Sequence, residues 1–495
     1  MTKAVRRIGA VASTLAGTVG AGTALSLGGL LPTLLLLAAA GMAALTLFVP
    51  DTVTLFGISA LYMNLPGIAV NLYRMPVLLA GSAFLLLLMP FLSRYLLRRD
   101  PIIVDYPLLL IVAFLGAVLV SFLVVKDYQA AFGWLGTFMA EGLMMYFLVL
   151  NLIRTPRNLT RVIDVLMLCG ALLAGLTVYQ QATKSFSQQF FGLAQRNIEF
   201  VDGGDALHEP DKMRLVERAG GPLGQPNRYA QNLLYLLPLV FYRMRSHKKA
   251  LPRLICAGCG LVILGGTLLT FSRGAFIGLA AVVLLLALMK EIRLRELALV
   301  GAVAVMGIVV FAPSYVGRIA TLAGVTTDVR DARSGEMDGA IRGRLTEMLA
   351  AFSLFLDHPL IGVGAGQFMP VYSQDYMSDP DIAFRHVTTE RRAHIMYFEM
   401  AAETGILGLG IFLAVIALMQ MRLWRAWHRW RKERPELGGL AAGFFLSICS
   451  YLVTAIFLQL AYQRYFWLLL GLAGAAVQIL TAEDRRSRIP QEAPA

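Results

Sequence analysis

One short stretch concentrates the groups that could move protons and hold anions. Arg391-Arg392-Ala393-His394 is followed by Glu399 and Glu403-Thr404-Gly405, directly before an uncharged apolar run. A neutral imidazole suits proton abstraction from a hydroxyl near neutral pH. A guanidinium forks onto phosphate oxygens. If 394–404 is helical, at about 100° per residue Glu399 and Glu403 share a face and His394 points away from Glu403. The partner of His394 must then come from elsewhere: a substrate hydroxyl, Arg391 or Arg392, or a group on another loop. A purely structural interfacial histidine fits the same residues.

Three further places carry polar chemistry. In ERAGGPLGQPNRYAQN, Arg218 and Asn227 bracket a Gly/Pro-rich turn just before a helix begins. The plain alternative is a solvated arginine or one paired with Glu217. In TFSRGAF, Arg273 lies between two apolar runs with almost no loop to hold it in water, so it either faces a polar cavity or snorkels to headgroups. In GRLTEMLAAFSLFLDHPLIGVGAGQF, Leu345, Met348, Leu349, Phe352, Phe355 and Leu356 recur at helical spacing and Pro359 ends the helix. Arg342 and Arg344 open that helix, where an anion would relieve their repulsion from the dipole. Gly362, Gly364 and Gly366 would let backbone amides approach a phosphate, although a plain tight turn explains them better.

Other motifs point away from chemistry. Asp379-Pro380-Asp381 resembles a metal-holding D-x-D but sits in a proline turn, so no metal and no cofactor is expected. Cys256 and Cys259 have redox spacing, yet no positive neighbour to activate a thiolate; small-residue helix packing is the reading.

The elements that must position these groups are membrane helices. The chain has 495 residues, 57% hydrophobic and 15% charged, with mean hydropathy +0.66, against roughly 25% charged in globular proteins. Uncharged runs at 75–92, 106–125, 135–153, 162–180, 254–271, 274–289, 297–313, 405–421, 438–460 and 465–480, with a weaker run at 229–242, are long enough to cross a bilayer. The net charge of +13 does not imply nucleic acid, because 26 of the 44 Lys and Arg fall in seven clusters beside these runs. By the positive-inside rule those clusters (3–7, 94–99, 154–161, 243–253, 290–295, 422–434 and 485–488) stay cytoplasmic. Segments 181–228 and 314–394, and the turn at 271–274, then lie outside. Parity asks for spans at 8–26, 28–49 and 52–72, the first read as a span rather than a cleaved leader.

The expected fold is therefore an all-α polytopic integral membrane protein of about 12–14 transmembrane helices. It forms one transmembrane domain over 1–495, with exterior insertions at 181–228 and 314–394, the larger containing short amphipathic helices.

Five blocks in order carry a family resemblance. Arg-Ala-Gly-Gly-Pro-Leu-Gly-Gln-Pro-Asn (218–227), Ser-Arg-Gly (272–274), Gly-Arg-Leu (343–345), the His-Pro-Leu-Ile-Gly-Val-Gly-Ala-Gly-Gln-Phe run (358–368), and His394-x-x-Tyr397 with Glu-Thr-Gly (403–405) resemble the O-antigen ligase and polymerase superfamily. The resemblance covers about 215–425. It implies a metal-independent, inverting glycosyltransferase that takes a glycan from an undecaprenyl-diphosphate donor at the outer, periplasmic face of the bacterial inner membrane. The acceptor would be lipid A-core for ligases, another lipid-linked glycan for polymerases, or a protein hydroxyl. By the same resemblance Arg218, Arg273 and Arg344 would bind the diphosphate and His394 would activate the acceptor. Arg342, Asn227, Gly364 and Tyr397 are placed with them as donor or glycan contacts. One departure is Ile395, where the family usually has Asn. A lipid-linked glycan flippase or other transporter is the alternative of another class; it would be expected to carry charges inside its spans, whereas Glu141 and Asp164 are read as lying near span ends.

Overall fold

The computed structural model describes residues 46, 49–76, 84–201, 214–293, 339–379, 390–460 and 463–488. The expected spans at 8–26 and 297–313, most of 28–49, Pro380 and Asp381 lie outside the described residues, as does the side chain of Arg342.

Apolar runs become helices because a bilayer leaves no other way to satisfy backbone N–H and C=O groups. In chain order these are α1 (Pro50–Tyr62), α2 (Leu65–Asn71), α3 (Leu85–Leu92), α4 (Tyr106–Ser121), α5 (Tyr128–Thr137), α6 (Met145–Leu152) and α7 (Pro156–Thr183). After a two-stranded hairpin come α8 (Pro226–Leu234), α9 (Leu236–Ser246), α10 (Ala250–Leu269), α11 (Arg273–Leu288) and α12 (Gly339–Asp357). The chain closes with α13 (Ser373–Met377), α14 (Met396–Trp430), α15 (Pro435–Thr454) and α16 (Gln463–Arg488). Among the described residues, seven helices are long and apolar enough to cross a membrane: Tyr106–Val124, Tyr128–Leu152, Pro156–Thr183, Ala250–Leu269, Met396–Trp430, Pro435–Thr454 and Gln463–Arg488. The pair α1 and α2, bent by 49°, would add an eighth. The protein is an all-α polytopic membrane protein.

Burial orders the bundle. In the apolar stretches of α16 and α15, 83% and 72% of residues are inside the protein, against 22% for α10, so the first two lie deep in the bundle and α10 is much less covered. Tyr465, Phe466 and Trp467 of α16 pack against Phe138, Tyr146 and Phe412 in the main core. Where α10 crosses α7, a Cβ on Gly266 would lie 2.6 Å from the Cβ of Ala174, so the two backbones meet closely. Cys256 and Cys259 on α10 are free thiols.

Three features differ from the sequence reading. The run 229–242 is not one helix: α8 and α9 meet at a turn on Tyr235. The first insertion is not wholly irregular, because β1 (Gln195–Val201) pairs antiparallel with β2 (Arg214–Gly221). Glu141 is not near a span end but in a π turn (Phe138–Met144) joining α5 to α6, where it pairs with Arg464 at 2.6 Å. Asp164, one helix on, is gripped by Arg243 at 2.6 and 2.8 Å. Both acids are thus neutralised by arginines from distant helices, which is what a low-dielectric interior requires.

Helix direction separates two kinds of charge. The helices α9, α14 and α16 run toward the basic clusters at 243–253, 422–434 and 485–488. The helices α10 and α15 start from such clusters and end at Leu269 and Thr454, beside the residues described next.

Candidate functional site

The segment preceding α14 is pinned from both sides, and this sets the position of His394. Glu399 on the first turn of α14 accepts from Arg392 Nε at 2.9 Å and from the Ala393 amide at 3.2 Å. The Met396 amide donates to the Ala455 carbonyl at 3.1 Å. Ala393 and Ile395 are buried beside Ala350, Leu354, Val363 and Phe368. Between these anchors His394 adopts a left-handed backbone, φ +51°. That conformation is uncommon for a residue other than glycine and is sustained by its surroundings. Its side chain keeps 36% of its surface accessible. His394 precedes the helix rather than lying within it, and the acid that meets it comes from another element: Glu347 Oε2 on α12 lies 3.4 Å from His394 Nε2. Arg391 Nη1 lies 3.4 Å from Glu347 Oε1.

The face that α12 buries is the reverse of the one its apolar period suggests. Thr346, Glu347, Ala350, Ala351 and Leu354 are buried, whereas Phe352 and Leu356 are 38% and 59% exposed. Small residues let α12 lie close on α14, and the large apolar side chains turn outward, toward what would be lipid.

Cations surround the imidazole. Its burial, then the guanidiniums of Arg344, Arg228, Arg391 and Arg392, bring its pKa down from the usual value to about 4. His394 is therefore neutral at pH 7. Arg228 is held in place by Gln225 Oε1 at 2.7 Å and the Gln459 carbonyl at 2.8 Å. Neither Arg228 nor Glu347 stood out in the sequence. For Arg228 the available signal is a basic residue in the first turn of α8, next to Asn227; for Glu347 it is an acid on the face of α12 that carries Ala350 and Ala351.

Arg218 and Arg273 are linked through one turn. Arg218 is 3% exposed, and its Nε and Nη2 donate to the Thr270 carbonyl at 3.0 and 2.7 Å. Its Nη2 also donates to Asn227 Oδ1 at 3.2 Å. It is neither solvated nor turned to Glu217, which pairs with Arg196 at 2.9 Å, because neighbouring strand residues point to opposite faces. Thr270 leads into Ser272, whose Oγ caps α11 by accepting from the Ala275 amide at 3.4 Å, and Arg273 is the first residue of that helix. The loop 455–460 gathers these parts: Ala455 holds Met396, Gln459 holds Arg228, and the Phe457 ring lies 3.3 Å from where a Cβ on Gly274 would be.

The glycine run serves a different purpose from a phosphate cradle. Helix α14 breaks at Gly405, φ +64° and ψ −168°, and the freed backbone is satisfied by 359–364. Ile406 and Leu407 amides donate to Pro359 and Leu360 carbonyls at 2.8 and 3.3 Å, while Val363 and Gly364 amides donate to Ala402 and Glu403 carbonyls at 3.0 and 2.9 Å. Glu403 Oε1 accepts from the Phe368 amide at 3.2 Å. The Gly364 amide is thus committed to the helix break. Tyr397 is similarly engaged, its hydroxyl donating to the Leu452 carbonyl at 2.9 Å. No group of three or more His, Cys, Asp or Glu side chains suited to a metal occurs among the described residues.

What the arrangement offers is a neutral imidazole with one acid beside it and guanidiniums around it. A family model described as O-Antigen ligase matches residues 258–413, a stretch holding Arg273, Arg344, Glu347 and His394. No curated protein matches the chain in sequence. The superfamily resemblance carried by the motifs therefore stands, with the matched stretch containing four of its five blocks whole and the Arg218 block outside it.

Proposed function

With residues 258–413 matching the O-Antigen ligase family, we propose that this chain transfers a glycan from a polyprenyl-diphosphate donor to an acceptor hydroxyl. The observation that carries the reading is His394 held neutral among Arg344, Arg228, Arg391 and Arg392. An imidazole in that field is a base, and the same guanidiniums suit an anion beside it.

The chemistry follows from the charges. The acceptor O–H bond breaks and its proton passes to His394 as the oxygen bonds to the anomeric carbon. The bond from that carbon to the diphosphate oxygen breaks, and the electron pair leaves with the diphosphate. Guanidiniums stabilise the charge that grows on this leaving group. Attack opposite the leaving group inverts the anomeric centre. In the free protein a pKa of about 4 makes His394 a weak base. An anion seated nearby raises a pKa by about 1–3 units, so donor binding would strengthen the base that the acceptor needs.

The donor we favour is undecaprenyl diphosphate-linked. The partly exposed Phe352 and Leu356 on α12 give this end of the protein an apolar flank for a lipid tail. Basic clusters at the opposite helix ends argue for a periplasmic site in a bacterial inner membrane, with 181–228 and 314–394 as exterior insertions. Lipid A-core or a similar glycan is the preferred acceptor class, ahead of a second lipid-linked glycan or a protein.

Purified protein with lipid-linked glycan and each acceptor class tests this directly. Product that disappears in His394→Ala and Arg273→Ala supports the reading, and the acceptor consumed identifies the reaction. Full transfer by both variants would overturn it.

A further inference from the structure

The glycosyl-transfer reading leaves one acid in the site without a role. Glu347 has 1% of its side chain accessible, on the face of α12 otherwise lined by Thr346, Ala350, Ala351 and Leu354. Burying a carboxylate costs several kcal/mol unless neighbours compensate, and an apolar residue would complete this face at no such cost. The carboxylate is divided between two groups of the segment ahead of α14. Its Oε1 faces Arg391 at 3.4 Å and its Oε2 faces His394 Nε2 at 3.4 Å. From the far side Glu399 holds Arg392 and the Ala393 amide, so the histidine backbone cannot drift from Glu347.

We infer that Glu347 is the positioning residue of His394, keeping the imidazole proton on Nε2 and leaving Nδ1 as the lone pair that meets the acceptor hydroxyl. The inference rests on the glycosyl-transfer reading. Glu347 takes no proton itself. The acceptor proton moves to Nδ1, and the carboxylate then faces an imidazolium instead of a neutral ring, at a distance where that attraction counts.

Carbethoxylation of His394 by diethyl pyrocarbonate, followed by peptide mass spectrometry across pH, reads the imidazole without any glycan. It is done on the full-length protein in detergent. In Glu347→Gln the midpoint of that profile should fall by about one unit, and Glu347→Asp should fall between that variant and the parent. In the transfer assay Glu347→Gln should lose about 100-fold in kcat with the donor KM unchanged, and Glu347→Asp should regain part of it. A His394 profile unmoved in either folded variant overturns the positioning role. A moved profile with no transfer by the parent protein from any lipid-linked glycan overturns the glycosyl-transfer reading and, with it, the catalytic part of this inference. Should Glu347→Gln fail to fold, Glu347→Asp carries both measurements.

Discussion

Arg218 on β2 grips the carbonyl oxygen of Thr270 with two nitrogens, at 3.0 and 2.7 Å, 52 residues away in the chain. The bond fastens the hairpin of the first insertion to the turn that begins α11, and so it sets where Arg273 can reach.

Removing that grip should damage both fold and activity. Arg218→Ala leaves the buried Thr270 carbonyl without this donor, which costs about 1–3 kcal/mol. We expect a lower melting temperature in detergent and loss of transfer. Arg218→Lys restores charge but not the fork, and should recover stability only in part. Thermal scans and transfer assays on the two variants check this.

The glycines at the helix break should tolerate no side chain. At Gly405 a Cβ would lie 2.3 Å from Leu360 C, and at Gly362 it would lie 2.4 Å from Glu403 C, both at positive φ. Backbone cannot yield as a flexible side chain does, so Gly405→Ala and Gly362→Ala should each cost about 2 kcal/mol or more. Gly410→Ala, on the same helix with nothing within 4 Å, should behave as the parent. Yield and melting temperature of the three variants are compared.

The pH dependence has a definite sign. His394 is neutral above its pKa of about 4, so kcat/KM for the acceptor, governed by the protein without bound acceptor, should hold steady below neutrality and fall only as His394 becomes protonated. At saturating donor the diphosphate offsets the guanidinium field, raises the imidazole pKa and moves this acid limb upward. Rate profiles at low and saturating donor should therefore differ in their acid limb. Coincident limbs would count against any contact between donor and base.

Arg228 should act on the imidazole although it escaped notice in the sequence. Its charge is one of those that depress His394, so Arg228→Gln should raise the carbethoxylation midpoint of His394. It should also weaken donor binding, seen as a higher donor KM. Because Gln459 loses a partner in that variant, a melting curve accompanies the measurement.

Membrane character was legible from the chain itself, because hydropathy and helical period are local quantities summed over some 20 neighbouring residues. The spans at 106–125, 162–180, 254–271 and 438–460 appear as α4, α7, α10 and α15 within a few residues. Arg218, Arg273, Arg344 and His394 were singled out as polar groups bordering apolar runs, and it was the family resemblance that gave them roles.

Their partners could not be named from the chain. Glu347 meets His394 across 47 positions of sequence, and Arg228 reaches Gln459 across 231. Which face of α12 turns inward depended on how closely it could lie on α14, and small residues won over large apolar ones because the outer face has somewhere apolar to go. The glycine run could as well have cradled a phosphate; only the broken helix beside it, with backbone groups that must be bonded inside a membrane protein, committed Gly364 to Glu403. The sequence by itself determined what is apolar, where helices run and which charges border them. Tertiary structure decided which charges meet, because that depends on contacts between helices whose separation along the chain says nothing of their separation in space.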